Sequence, residues 1–253
     1  MTTFQQFHEE DHNTFHNETK VYFSQCENNR KLSLSELLRF TSDSAVEDYR
    51  QRGLSSEFLK EHGFYILVSR AAFHFLDHPH ESQNISIITW EEKPEPIQLR
   101  RGYKITDTDD GRVLVYGYST WLLVSPETRR IVPAKLFTLR KPVDVVTDND
   151  CPQPGKILVP AEKQLLCERT IGYSDIDANG HTNNSRYGAF IADAIPPQYH
   201  NKELSDFRIN YSKEAMLGQK LKIYGHCDDT KRKISVCGET EDGTSFEAEL
   251  LYK

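Results

Sequence analysis

The sequence predicts an α+β protein of two like halves, each a long antiparallel sheet wrapped around a single helix. Three observations carry this. An order of strand, helix and four further strands runs through residues 20–124 and again through 163–252. The last hairpin of each half turns on a matching tripeptide, Asp109-Asp110-Gly111 and Glu241-Asp242-Gly243. Between the halves lies a proline-rich stretch with little apolar periodicity, residues 126–160. A sheet with one apolar face and one partner helix buries that face by curling around the helix. Two such units in one chain would pair as an internal pseudo-dimer.

In chain order, residues 1–18 are rich in His, Asp and Glu and read as a flexible polar arm. The N-terminal domain is then expected over 19–125. Weak alternation through Val21 and Phe23 predicts a strand over 20–26. Ser33-Leu34-Ser35-Glu36 has the form of a capping box. It opens a helix whose apolar face is Leu34, Leu37, Leu38, Thr41, Ala45 and Tyr49. After Gly53 and Gly63 come β-rich runs at 64–76, 85–92, 97–106 and 112–124. Residues 126–160 are expected to cross the surface as a linker. The C-terminal domain, 161–253, begins with a strand at 163–171. A helix follows from about 183 to 194, with Tyr187, Phe190, Ile191 and Ala194 inward and Pro196-Pro197 as its stop. Strands at 205–213, 219–227, 231–239 and 244–252 complete it.

Composition sets bounds. The chain has 253 residues, 37% hydrophobic and 11% aromatic, enough for a core in one or two domains. A net charge of -7 argues against nucleic acid recruited by bulk charge. No apolar run approaches the ~18 residues of a membrane span. The N-terminus has neither the apolar core of a secretory signal nor the basic character of a transit peptide. Five cysteines, odd in number and without CxxC spacing, suit reduced thiols in the cytoplasm.

The chemistry concentrates in residues 173–187, where two acids, three amides and a histidine precede the second helix. Three interpretations compete. Asp175, Asp177, Asn179 and Gly180 match the first positions of a calcium loop, but its twelfth position is Arg186 rather than Glu. Turn and cap preferences of Asp and Asn explain one or two of these residues, not all. A catalytic site explains the set, since free amides at a helix N-terminus favour developing negative charge. The corresponding first-half stretch, Cys26-Glu27-Asn28-Asn29-Arg30-Lys31, is not equivalent, so one competent site per chain is expected. His8-Glu9-Glu10-Asp11-His12 has the spacing of a zinc motif but lies in the polar arm with no apolar helix face, so no metal is expected. No GxSxG, P-loop or GxGxxG pattern is present.

Asp175-Ile176-Asp177-Ala178-Asn179-Gly180-His181-Thr182-Asn183-Asn184-Ser185-Arg186-Tyr187 resembles the active-site segment of acyl-ACP thioesterases, Asp-Leu-Asp-x-Asn-x-His-x-Asn-Asn-x-x-Tyr. Tyr211-Ser212-Lys213-Glu214 is similar to the family's Tyr-Arg-Arg-Glu. Trp90, Trp121 and Thr128-Arg129-Arg130 resemble family positions more loosely. The resemblance implies a tandem (double) hotdog fold and hydrolysis of a fatty acyl-[acyl-carrier-protein] thioester without a cofactor. It implies catalysis by Asp177, Asn179, His181 and Glu214, with Asp177 either the nucleophile or the general base. Asp175 is expected to hold a turn. The plant enzymes carry Cys after the matching Glu; here that residue is Ala215, which removes a cysteine nucleophile. Trp90, Trp121 and Asn183 are candidates for substrate contact. The implied partner is acidic acyl carrier protein, for which Arg100, Arg101, Lys104, Arg129, Arg130, Lys213 and Lys231 are docking candidates. The implied assembly extends to a homodimer of such chains. An acyl-CoA thioesterase and a non-catalytic acyl-binding protein are the alternatives.

Overall fold

The structure is a computed structural model that describes residues 4–147 and 149–253. The first half comprises β1 (Gln6–His8), β2 (Phe15–Lys20), α1 (Leu34–Gln51), α2 (Ser56–Glu61), β3 (Tyr65–Phe75), β4 (Asn84–Glu92), β5 (Leu99–Asp107), β6 (Val113–Val124) and a short β7 (Ile131–Val132). The second comprises β8 (Gln164–Thr170), α3 (Arg186–Ala194), β9 (Leu204–Tyr211), β10 (Lys220–Asp228), β11 (Lys233–Thr240) and β12 (Gly243–Tyr252). The sheet order is β1-β2-β4-β5-β6-β3-β9-β12-β11-β10-β8, with β7 beside β6. From the centre outward, β3-β6-β5-β4-β2 mirrors β9-β12-β11-β10-β8. The two predicted sheets are therefore one. Each half alone would expose an unpaired edge strand, and pairing β3 with β9 satisfies both edges. Ala71 faces Ile209 and Phe73 faces Phe207 across that seam.

The long helix α1 and α3 lie inside this curled sheet. On α1 the buried face is Leu37, Leu38, Thr41, Ala45 and Tyr49; on α3 it is Tyr187, Phe190, Ile191 and Ala194. Tyr187, Phe190, Phe207 and Phe246 share one apolar cluster with Leu37 and Ile105. Each such side chain contributes about 1.5–3 kcal/mol on burial. The helices touch where α3 has no side chain. A Cβ on Gly188 would fall 2.6 Å from the Ser35 amide nitrogen, so only glycine permits this contact. The expected capping box is half formed. Ser33 Oγ accepts the Glu36 amide at 3.3 Å, but the Glu36 carboxylate turns to Arg39.

Three expectations change at the N-terminus and in the connection. The polar arm, whose first three residues lie outside the described ones, folds as a β1–β2 hairpin on β4, with Phe15 completely buried. Several of its polar residues face inward, His8 to Asp48 and Asn17 to Ser44, so no apolar alternation marks the strand in the sequence. The strand expected at 20–26 lies earlier, at Phe15–Lys20, and Phe23–Gln25 is a 3-10 turn. The connection at 126–160, of which Asp148 lies outside the described residues, buries Ala134, Phe137, Cys151 and Ile157. Its prolines suppress periodicity, not packing. No described helix is long and apolar enough to cross a membrane.

Candidate active site

The segment before α3 is a tight loop closed by an Ile176–Thr182 bridge. The Asp177 amide donates to the His181 carbonyl at 2.9 Å, and the Gly180 amide donates to the Asp177 carbonyl at 3.0 Å. Gly180 sits at φ 84°, the left-handed region that glycine reaches without strain. Inside this loop Asp177 Oδ1 accepts the backbone amides of Asn179 (2.8 Å) and His181 (3.3 Å). These two donors fix the carboxylate and leave Oδ2 without a partner among the described residues.

Glu214 arrives from the loop after β9. Thr182 anchors that loop twice, its amide (3.1 Å) and hydroxyl (2.6 Å) both donating to the Ala215 carbonyl. Glu214 Oε2 then lies 3.1 Å from His181 Nε2, and both side chains remain partly open, at 47% and 30% exposure. A substrate can reach them. Asn179 stands on the exposed rim, with its backbone in the Asp177 turn and its amide group uncommitted. Nothing in the sequence singles out Thr182, since its part is to position Glu214 by bonding a backbone carbonyl.

Asp175 is buried and held by its neighbours. Gly172 N–H (2.9 Å), Arg186 Nε (2.9 Å) and Arg169 (3.7 Å) surround its carboxylate. Two guanidiniums occupying that group exclude it as a calcium ligand. Among the described residues no group of three or more His, Cys, Asp or Glu is placed to hold a metal. The zinc-like spacing falls on the β1–β2 hairpin rather than a helix, where His8 meets Asp48 and His16 meets Glu9. The helix starts at Arg186, three residues later than expected, because Asn183 Oδ1 takes the Ser185 amide (2.9 Å) and hydroxyl (2.8 Å). The same bonds make Asn183 a local cap.

Residues 12–135 match the acyl-ACP thioesterase N-terminal domain, and residues 160–250 match the acyl-ACP thioesterase C-terminal domain. The chain belongs to the acyl-ACP thioesterase family. It is 23% identical over 201 residues to the chloroplastic acyl-[acyl-carrier-protein] hydrolase FATB2 of Cuphea viscosissima, covering 74% of this chain and 48% of that protein. It is 27% identical over 146 residues to a chloroplastic palmitoyl-acyl carrier protein thioesterase of Cuphea hookeriana, covering 54% of this chain and 35% of the relative. The chain thus spans about half the length, or less, of these relatives. In fold it is similar to an acyl-ACP thioesterase from Bacteroides thetaiotaomicron, with a TM-score of 0.87 at 23% identity over 97% of this chain and 100% of the other. The 12:0-ACP thioesterase from Umbellularia californica gives 0.81 at 14% identity, over 95% and 97%. The tandem hotdog architecture follows.

The internal symmetry of this acyl-ACP thioesterase chain explains its unequal halves. The first half repeats the loop: Glu27 N–H donates to the Lys31 carbonyl (2.9 Å), Arg30 takes a positive φ, and Leu32 N–H donates to the Pro79 carbonyl (2.8 Å). Glu27 therefore stands where Asp177 does, Lys31 at His181 and His78 at Glu214. The scaffold survives but the imidazole–carboxylate pair does not, and Lys31 turns to Glu203 at 3.0 Å. The remaining candidates lie elsewhere. Trp90 on β4 donates to Thr147 Oγ1 of the connection (3.0 Å). Trp121 on β6 donates to Ser119 Oγ (2.6 Å) and packs in the separate Tyr49–Phe137 cluster. Arg101, a docking candidate by sequence, is buried against Asp48 and leaves the surface set.

Proposed function

We propose that the chain hydrolyses the thioester of a fatty acyl-[acyl-carrier-protein], releasing free fatty acid and carrier and ending or diverting fatty acid synthesis. The observation that carries this is the His181–Glu214 pair, 3.1 Å apart, beside a carboxylate whose second oxygen is free. Asp177 Oδ2 attacks the thioester carbonyl or takes a proton from water that does so. Near that carbonyl the Asn184 and Tyr187 amides, which have no acceptor among the described residues, would receive the oxyanion. The C–S bond breaks and the departing sulfur takes its proton from His181. Glu214 orients the imidazole. If Asp177 was the nucleophile, Glu214 also takes the proton of the water that cleaves the mixed anhydride, releasing the fatty acid and freeing Asp177. If Asp177 was the base, it has taken that proton itself. Asn179, at the rim, orients the Asp177 side of the pair.

A carrier-borne substrate is supported by the family match over both halves, and exposed Arg129, Arg130 and Lys213 offer basic contacts to an acidic carrier. Five unpaired cysteines support a reducing compartment, the cytoplasm. Boundaries at 19–125 and 161–253 for the two domains, and a homodimer of such chains, belong to the same proposal; sedimentation tests the dimer. The decisive experiment compares hydrolysis of matched acyl-ACP and acyl-CoA thioesters by wild type and Asp177→Ala. Wild type should favour the carrier substrate and the variant should lose about 10²–10⁴ in kcat. Faster CoA turnover would overturn the carrier, and an unimpaired variant would remove Asp177 from the mechanism.

A further inference from the structure

Behind the C-terminal end of α1 lies a buried charge cluster that the proposed hydrolysis does not use. Asp48, wholly buried, meets Arg101 (2.7 Å), Arg52 (3.0 Å) and His8 (2.9 Å). Glu91, nearly as buried, meets Arg52 and Arg140, each at 2.5 Å, and the Tyr49 hydroxyl at 2.9 Å. The adjacent Glu92 turns to the opposite face of β4, toward Thr147 and Arg100, and takes no part. With His8 counted neutral, three guanidiniums face two carboxylates among the described residues. One positive charge is in excess. A buried charge without a partner is costly, so the excess calls for an anion or for water.

The two guanidiniums shared by Glu91 also line a cavity of about 440 Å³ between the β1–β2 hairpin and residues 139–145. The Arg140 side chain is 10% exposed, and its buried Nε has no acceptor among the described residues. Asn13 Oδ1, on the same wall, is likewise buried and unpartnered. The other walls are Leu54, Leu139, Pro142, Val143 and Val145, with His12, Lys141 and Asp144 as the further polar lining. Asp144 at the rim is engaged by Lys93 at 2.7 Å and does not neutralise the interior. A pocket with apolar walls and a few convergent polar groups is the usual form of a small-molecule site.

We propose that this cavity binds a monocarboxylate with an apolar tail, its head on Arg140 and Arg52 and its tail along Leu54, Leu139 and Val143. The buried excess and Lys141 at the lining favour an anionic head, and the apolar walls favour a tailed carboxylate over a phosphate, which would leave them unused. A hydroxyl on the ligand, or a water it retains, serves Asn13 Oδ1. No wall of this cavity belongs to the Asp177 loop or to the 212–219 loop. The site is therefore separate from the proposed centre of hydrolysis and goes beyond it.

Isothermal titration of the full chain with sodium decanoate below its micellar concentration tests this, with wild type, Arg140→Gln, Val145→Asp and Glu214→Gln compared. One binding event should weaken at least tenfold in Arg140→Gln and Val145→Asp and persist in Glu214→Gln. Val145→Asp places a carboxylate at the rim while leaving every Glu91 partner in place, so it decides the matter if Arg140→Gln fails to fold. The proposal is overturned if decanoate does not bind, or if it binds Val145→Asp as tightly as wild type. Loss of the sole event in Glu214→Gln, or equal affinity for inorganic phosphate, overturns it as well.

Discussion

Two aspartates two residues apart in one loop have opposite situations. Asp177 keeps one carboxylate oxygen free at the surface of the site, while Asp175 is enclosed by Arg169, Arg186 and an amide. Substitution should separate them. Glu214→Gln keeps the shape of its side chain but cannot carry the negative charge opposite His181, so kcat should fall about 10²-fold or more with little change in stability. Asp175→Ala should instead lower stability by about 1–3 kcal/mol, because two guanidiniums and an N–H lose their acceptor. Its residual activity should track the folded fraction. Steady-state kinetics beside denaturant unfolding checks both, and a catalytic defect in fully folded Asp175→Ala would refute the division. Turn, cap and ligand preferences fit both aspartates equally, so only the family resemblance set Asp177 apart as catalytic and Asp175 as a turn residue. The structure shows Asp175 occupied by Arg186 and the Gly172 N–H from its own segment and by Arg169 brought in from β8.

At the scale of elements, the helices were the most legible part of the chain and their meeting the least. Apolar residues three and four apart identify the inner faces of α1 and α3 without help from the fold. Gly188 looks in sequence like a weak point in a helix, yet it is where the Ser35 backbone approaches. Gly188→Val should cost more than the roughly 1–3 kcal/mol of ordinary overpacking, because the clash is with backbone that cannot rotate away. Thermal unfolding measures it, and a melting temperature equal to wild type would show that the helices can part. The β1–β2 hairpin was hidden for a related reason. Its one fully buried apolar side chain, Phe15, sits among polar neighbours, too few apolar positions to register as alternation.

For the whole molecule, acid is the informative stress. Burial pushes the Asp48 carboxyl up, but Arg101 and Arg52 outweigh it and hold the group below the ordinary carboxylate range. Burial likewise acts on Glu249, and Arg208 and Lys233 bring it below its usual value. A folded-state pKa below the unfolded one contributes stability above about pH 4 and loses it as pH falls through the folded value. Unfolding free energy should therefore be level through neutral pH and drop below about pH 4. Asp48→Asn should be less stable at neutral pH and show a shallower acid loss. Stability unchanged down to pH 3 in the wild type would contradict this role for the ion cluster.

The sequence by itself determined the repeat, the α+β class and the two inner helix faces, and its resemblance to the family named the residues proposed for the site. Each is written in local periodicity or in a contiguous motif. Tertiary structure alone decided that two sheets are one, through the β3–β9 seam, because strand edges are satisfied by partners the local pattern does not name. It set Glu27 opposite Asp177 as the silent counterpart, since register is fixed by backbone hydrogen bonds and not by residue identity. It also drew Glu214 to His181 across more than thirty residues, through the Thr182 bonds to a carbonyl that leave no mark in the sequence.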